Sequence, residues 1–137
     1  MNFERYTFSK NIPFKKIQMP FGTYYFCDRF VISELQESVH FDWIKAELII
    51  EKIIKFYGKN VKIGFISNRI NHFSVDPSNW TKIERKYNII AASAIVIYNN
   101  SNFMNASIEK QFAKKSIKRC MSLEEAILWI KSLAEFN

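Results

Sequence analysis

The stretch IIAASAIVIY, at residues 89–98, constrains the fold of this chain most. It is apolar with little alternation, whereas a strand with one face in water alternates apolar and polar side chains. We therefore predict a central strand that is covered on both faces, rather than a strand at a sheet edge. Residues 23–27 and 30–34 are rich in aromatic and β-branched residues, and the two residues between them are few enough for a hairpin turn. Further strands are predicted at residues 2–8, 12–19, 61–67 and 118–120.

Four segments have helical rather than strand periodicity. From residue 42 to 57, apolar residues fall on one stripe with charged residues opposite, and Gly58 follows as a glycine that ends a helix. Ile44 and Leu48 fall on the charged side, so they predict a small exposed apolar spot. That spot, or an open sheet edge, is where we expect a homodimer contact if one forms.

The second helix begins at Asp76 and Pro77, which are a preferred N-cap and a preferred first helical residue. The third is predicted at about residues 103–114, with Phe112 packing inward. Its predicted apolar line consists of Met104, Ile108 and Phe112. The last helix begins at the capping-box pattern Ser-Leu-Glu-Glu, residues 122–125, and its apolar stripe predicts docking on the sheet by one face.

This order of elements predicts an α/β fold. A strand-rich start is followed by alternating helices and strands, which favours a sandwich with a mixed central β-sheet and about four helices mainly on one face. The 137 residues fit a single domain over residues 1–137, in which residues 1–21 supply the N-terminal strands. No apolar run approaches the ~18 residues of a membrane-spanning helix, and the charged start MNFERYTFSK is unlike a signal peptide, so we expect a cytoplasmic protein.

The order, the size, the tetrapeptide VDPS at residues 75–78 and the ending SLEEAILWIKSL resemble the STAS superfamily. The similarity is to its SpoIIAA-like proteins, which are related to anti-anti-sigma factors. Phosphorylatable members carry Asp-Ser-Ser-Gly at the second helix, and a partner kinase modifies the third residue. The matching residues here are Asp76, Pro77, Ser78 and Asn79. The resemblance thus implies a non-enzymatic regulatory or binding module with Ser78 as the switch, although Pro77 and Asn79 replace a serine and the glycine.

The loop at residues 67–78 is the candidate site. Arg69 and Asn71 follow the C-terminal end of a strand, where open α/β sheets usually bind ligands. A phosphate on Ser78, or a phosphate-bearing ligand beside it, would face free N–H groups and the positive end of a helix dipole. The alternative is that Ser78 is an ordinary first-turn residue. The binding or switch candidates are Asn68, Arg69, Asn71, His72, Asp76 and Ser78. They predict a protein partner or a small ligand, and no cofactor.

A rival hypothesis is a hydrolase-like or transferase-like enzyme that uses His72 with Ser74 or Ser78. It lacks the glycine turn that exposes a serine nucleophile. His40 and Asp42 could form a base and its orienting carboxylate, or only a polar loop before a helix. We expect no metal site, because the two histidines are well separated and the two cysteines lie outside any Cys-x-x-Cys pattern.

An acid-free segment, KQFAKKSIKR at residues 110–119, carries five of the positive charges in a chain of net charge +7. Such a segment could bind anionic lipid or nucleic acid, and the alternative is a solvated helix face. No nucleic-acid motif accompanies it. Its basic residues are Lys110, Lys114, Lys115, Lys118 and Arg119.

Overall fold

A computed structural model describes residues 1–6 and 9–133 of the chain. Its main feature is a six-stranded mixed sheet. The strands of this sheet are β1 (Phe14–Met19), β2 (Gly22–Cys27), β3 (Phe30–Leu35), β5 (Ile63–Asn68), β7 (Ile90–Val96) and β8 (Ser116–Cys120). Their order across the sheet is β1-β2-β3-β5-β7-β8. The first three strands pair antiparallel, and β3, β5, β7 and β8 pair parallel. Two short strands, β4 (His40–Phe41) and β6 (Ser74–Val75), form a separate parallel pair.

Helices connect the parallel strands. They are α1 (Trp43–Tyr57), α2 (Ser78–Lys86), α3 (Asn100–Lys110) and, after the last strand, α4 (Leu123–Ser132). Ile50 of α1 packs with Val31 of β3, whereas Ile127 of α4 packs with the next residue of that strand, Ile32. Since neighbouring residues of a strand point to opposite faces, α1 and α4 cover opposite sides of the sheet.

Both α2 and α3 lie on the α1 side. Trp80 of α2 and Ala106 of α3 pack with Ile95 of β7, whereas the neighbouring Ala94 packs in the α4 core. Three of the described helices therefore cover one face and one covers the other, which confirms the predicted sandwich. The apolar stretch at residues 89–98 forms β7, with β5 and β8 on its two sides.

The predicted strand at residues 2–8 is wrong where the structure describes it, and Thr7 and Phe8 lie outside the described residues. A 3-10 turn, Phe3–Arg5, replaces the strand. The Asn2 side chain accepts a hydrogen bond from the N–H of Arg5, and the Phe3 ring is fully buried in the core under α4. Local capping and one buried ring thus outweigh the strand propensity of this segment.

The observed starts of the helices agree with the starts that the capping residues predict. Asp42 caps α1, Gly58 ends it, and Ser122 caps α4 by accepting from the N–H of Glu125. At α2, Pro77 already has helical dihedral angles of −61° and −25°, and the assigned helix begins one residue later. The hairpin between β2 and β3 is confirmed, with Arg29 at a φ of 66°.

Helix α3 packs by a different face from the one predicted. Met104, Ile108 and Phe112 are 66%, 46% and 41% exposed, so both the predicted apolar line and the inward packing of Phe112 are wrong. The helix also ends at Lys110 rather than near residue 114. Its buried residues are Asn102, Ala106 and Glu109. The buried carboxylate of Glu109 determines which face of α3 lies against the sheet.

Candidate functional site

The most deeply buried charges among the described residues are Arg69, just after β5, and Glu109, near the end of α3. Arg69 Nη1 lies 2.5 Å from Glu109 Oε2, and Nη2 lies 2.7 Å from Oε1. The Trp80 indole donates to Glu109 Oε1 at 2.9 Å, and Arg69 Nε donates to Ser67 Oγ at 3.1 Å. Because a buried charge is costly unless it is paired and hydrogen-bonded, this network requires α3 to present Glu109 inward.

A cavity of about 50 Å³ lies beside this network, between the sheet and helices α1 and α2. A single water occupies roughly 10–15 Å³ by a comparable measure, so the space exceeds one water molecule. Most of its wall is apolar, including Ile49, Ile53 and Ile83. Its polar groups come from Ser33, Ser67, Arg69, Asn79, Trp80 and Glu109. The cavity therefore has an apolar body and one polar region.

Asn79, which lines this cavity, has an unpaired hydrogen-bond acceptor. Its side chain is 2% exposed, and Nδ2 donates to the carbonyl oxygen of Phe41 at 2.9 Å, which fixes the orientation of the amide. Its Oδ1 atom is buried and has no hydrogen-bond partner in the described part of the chain. Since an unpaired buried oxygen costs free energy, it is a position where a donor group of a ligand or a water would be stabilised.

A cleft of about 90 Å³ lies on the other side of the ion pair, between α3 and the start of α2. Asn105, Ile108 and Pro77 help to line it. Four residues line both spaces: Arg69, Phe73, Val75 and Glu109. The ion pair and these two apolar side chains thus form the wall between the inner cavity and the cleft.

The residues predicted for the loop are not gathered at one point. Asn68 and Arg69 are consecutive at the end of β5, and their side chains point to opposite faces of the sheet. Asn68 bonds with Glu34 and Tyr98 on the α4 side, whereas Arg69 lines the cavity on the α1 side. Asn71 Nδ2 donates to the carbonyl oxygen of Leu35, so it supports the loop.

Asp76 and Ser78 form the start of α2. Asp76 Oδ1 accepts from both the N–H and the Oγ of Ser78, at 3.0 and 2.8 Å. These two hydrogen bonds hold the pKa of Asp76 below its usual range. Ser78 is half-buried, and its hydroxyl faces an ionised carboxylate rather than open solvent.

The histidine next to Ser74 is His40, not His72. His40 Nδ1 lies 2.7 Å from Ser74 Oγ across the short β4–β6 pair, and both residues are exposed. His72 is exposed too, and its main-chain N–H donates to Glu37. The described partners of Ser74 and Ser78 are therefore His40 and Asp76, and His72 is not placed as their base.

The basic segment has nearby acidic and hydroxyl partners. The main-chain N–H groups of Lys114 and Lys115 donate to the carboxylate of Glu84. Arg119 Nη1 donates to Ser107, and Lys118 Nζ lies 3.7 Å from Glu125. The side chain of Lys110 is exposed at the end of α3. On α1, the predicted exposed spot is confirmed, since Ile44 is 70% and Leu48 46% exposed.

The pattern of α3 contained a signal for Glu109 that the apolar spacing concealed. Asn102, Ala106 and Glu109 recur at spacings of four and three residues, so they lie on one face of the helix. No such signal marks Asn79 as a cavity residue, because its place in the wall depends on how α1 and α2 pack against the sheet. Across residues 1–6 and 9–133, no group of three or more metal-binding side chains is present, and no helix is long and apolar enough to cross a membrane.

Comparison with known proteins yields a similarity of structure. No family model and no curated protein sequence matches the chain. The chain is similar to the crystal structure of an uncharacterised DUF3478-family protein with a SpoIIAA-like fold from Shewanella loihica PV-4. The TM-score is 0.52 with 11% sequence identity, over 87% of this chain and 93% of that chain. The chain therefore has a SpoIIAA-like fold.

Proposed function

We propose that the chain is a non-enzymatic STAS-like binding module that holds a small amphipathic ligand beside the segment 67–80. The observation that carries this proposal is the unpaired Oδ1 atom of Asn79, a residue that lines an otherwise mostly apolar cavity. A ligand with an apolar body and one N–H or O–H group would match both features. The apolar body would contact Ile49, Ile53 and Ile83, and the donor would bond to Asn79.

Access to the cavity depends on the ion pair. Arg69 and Glu109 belong to the wall between the outer cleft and the inner cavity, so a ligand entering from the cleft must pass them. Helix α3 turns Met104 and Ile108 to solvent, and Glu109 is its charged anchor to the body of the protein. A ligand larger than the present 50 Å³ space would require α3 to move away from Arg69.

Two probes of nearly equal shape test this proposal. Hexan-1-ol has a hydroxyl donor, and 1-methoxypentane has an ether oxygen without one. We expect hexan-1-ol to shift the backbone NMR resonances of residues around the cavity, and the ether to bind at least about tenfold more weakly because it leaves Asn79 Oδ1 unpaired. Equal affinity for both probes would remove Asn79 from the proposal, and no binding of either would overturn it.

A pair of variants on α1 provides the control. Ala46 lines the cavity and is fully buried, so Ala46→Leu should fill the space and abolish binding of hexan-1-ol. Leu48→Ala changes an exposed position on the same helix and should leave binding unchanged. Binding that survives Ala46→Leu in a folded protein would place the ligand elsewhere.

The protein-partner version of this function rests on Ser78. A phosphate there would lie beside the ionised Asp76 carboxylate, and the present Ser78–Asp76 hydrogen bond would be lost. This repulsion favours the small-ligand version. Intact-mass analysis of the protein from its native cell tests the alternative, since a phosphorylated fraction at Ser78 would restore the switch.

A second candidate function is contact with an anionic membrane surface. Helix α3 and the turn after it expose Phe103, Met104, Ile108 and Phe112, next to the basic residues 110–119. An exposed apolar face beside lysines is typical of helices that lie in a lipid interface. Co-sedimentation with phosphatidylglycerol vesicles, compared with phosphatidylcholine vesicles, tests it. Binding to the anionic vesicles should weaken steeply with added salt, and binding that does not change with salt would count against membrane contact.

A further inference from the structure

A second polar cluster lies on the α4 side of the sheet, away from the cavity. Glu34, Asn68 and Tyr98 lie at or just past the C-terminal ends of the neighbouring strands β3, β5 and β7. Asn68 Nδ2 donates to Glu34 Oε2 at 2.8 Å, and the Tyr98 hydroxyl donates to Asn68 Oδ1 at 2.7 Å. Asn68 is fully buried and Glu34 is 8% exposed. Three neighbouring strands thus direct one polar side chain each to a common point.

The first residues of the chain occupy this point. The main-chain N–H of Phe3 donates to Glu34 Oε2 at 2.7 Å, and the carbonyl oxygen of Met1 accepts from Asn68 Nδ2 at 2.9 Å. The Phe3 ring is fully buried, with its centroid 4.9 Å from that of Tyr25 and 5.2 Å from that of Phe14. The site therefore binds a main-chain donor, a main-chain acceptor two residues earlier, and one aromatic ring.

These contacts are those of peptide recognition. A carboxylate and an amide that bind main-chain groups accept any sequence, and the aromatic pocket supplies the selectivity. The residue after Phe3 adds a charge preference, because Glu4 accepts hydrogen bonds from Lys16 Nζ and the Tyr25 hydroxyl. A segment with phenylalanine followed by an acidic residue therefore fits the site.

The segment at residues 1–6 is held without pairing to the sheet. Its secondary structure is a single 3-10 turn, Phe3–Arg5, and its ion pair between Glu4 and Lys16 is about half exposed on both sides. Phe3 is its buried anchor. If an external peptide bound at the same point, residues 1–6 would be a tethered competitor with an effective concentration on the order of millimolar.

We propose that this cluster is a peptide-binding site which residues 1–6 occupy in this structure. Its external ligand is a segment of a partner protein with phenylalanine followed by an acidic residue, which binds by displacing them. The site differs from the proposed small-ligand cavity, since Asn68 and Arg69 point to opposite faces. Loss of one activity would leave the other unaffected.

The test uses the full-length chain and the peptide MNFERY, labelled with fluorescein at its C-terminus, in fluorescence anisotropy. Phe3→Ala removes the internal anchor, so this variant should bind the peptide at least about tenfold more tightly than the wild type. The peptide MNAERY should not bind. Adding Asn68→Ala to the Phe3→Ala variant should weaken MNFERY binding by about tenfold, because a donor to both the peptide carbonyl and Glu34 is lost.

Two results would overturn the proposal. One is a Phe3→Ala protein with a native circular dichroism spectrum that does not bind MNFERY at millimolar concentration. The other is equal binding of MNFERY and MNAERY. If Phe3→Ala does not fold, Phe3→Leu takes its place, because leucine has no aromatic ring for the contacts with Tyr25 and Phe14 and is a weaker anchor, so this variant should bind MNFERY more tightly than the wild type does. If MNFERY raises the melting temperature of either variant more than MNAERY does, that also supports the proposal, and equal effects count against it.

Discussion

The guanidinium of Arg69 donates to both carboxylate oxygens of Glu109, at 2.5 and 2.7 Å, across 40 residues of sequence. Both side chains are almost fully buried. This pairing connects the end of β5 to α3 and determines which face of that helix lies against the sheet.

Removal of one partner of this pair should be costly. Glu109→Gln leaves the Arg69 charge buried without compensation and weakens the hydrogen bond of the Trp80 indole. We expect the free energy of unfolding to fall by about 3–5 kcal/mol, measured by urea denaturation. Replacing both charges, as in Arg69→Met with Glu109→Met, should recover much of that loss. Lys86→Met, which breaks an exposed ion pair with Glu47, is the control and should scarcely change the midpoint. If Glu109→Gln and Lys86→Met lowered the free energy of unfolding equally, this account would be contradicted.

Gly64 allows α4 to lie close to the sheet. A Cβ atom at this position would come within 2.7 Å of Ile130 Cγ2 and 2.9 Å of its Cδ1. Gly64→Ala should therefore lower the free energy of unfolding by about 1–3 kcal/mol, because the Ile130 side chain or helix α4 must shift. Ile130→Val removes the nearby Cδ1 atom, so the double variant should lose less than the sum of the two single losses. Additive losses in urea denaturation would show that the two side chains do not meet.

The orientation of α3 can be tested by substitutions on its two faces. Ile108 is 46% exposed, so Ile108→Ser should change the free energy of unfolding by no more than about 0.5 kcal/mol. Ala106 is fully buried against Ile95, and Ala106→Val should cost about 1–3 kcal/mol through overpacking. The reverse ranking would mean that Met104 and Ile108 face the sheet, as their spacing alone predicts.

The difference between the predicted and observed faces of α3 shows what a local sequence pattern cannot predict. The apolar stretch 89–98, the caps at Asp42 and Ser122, and the alternation of strands and helices are local, and the structure confirms them. Periodicity assumes that apolar contact decides which face is buried. In α3 a buried arginine from another element decides it instead, and no local pattern connects Arg69 with Glu109.

Its position after a strand identifies the candidate loop, but proximity in sequence does not place its residues at one point in the fold. Consecutive residues of a strand point to opposite faces of the sheet, so Asn68 and Arg69 lie in two separate sites rather than in one. Glu34 and Tyr98, the partners of Asn68, come from other strands. Only the pairing of β3, β5 and β7 brings them together.

The pH dependence of stability should reveal the buried carboxyl of Glu34. Burial raises its pKa above the ordinary 4.5, although hydrogen bonds from Asn68 and the Phe3 N–H oppose the shift. The folded state then holds a proton that the unfolded state releases. The contribution is fully present below pH 4.5 and is lost as the pH rises through the folded-state value.

Glu34→Gln does not ionise, so the wild type should lose stability relative to this variant as the pH rises above 4.5. Urea midpoints measured across that range give the difference. Glu47→Gln is the control with the opposite sign, because the hydrogen bond from Lys86 holds the pKa of Glu47 below 4.5. Its stabilising contribution is present above pH 4.5 and is lost on acidification, so the wild type should gain relative to Glu47→Gln as the pH rises from about 3. The same slope for both variants would show that Glu34 is not buried in the folded protein as a carboxyl with a raised pKa.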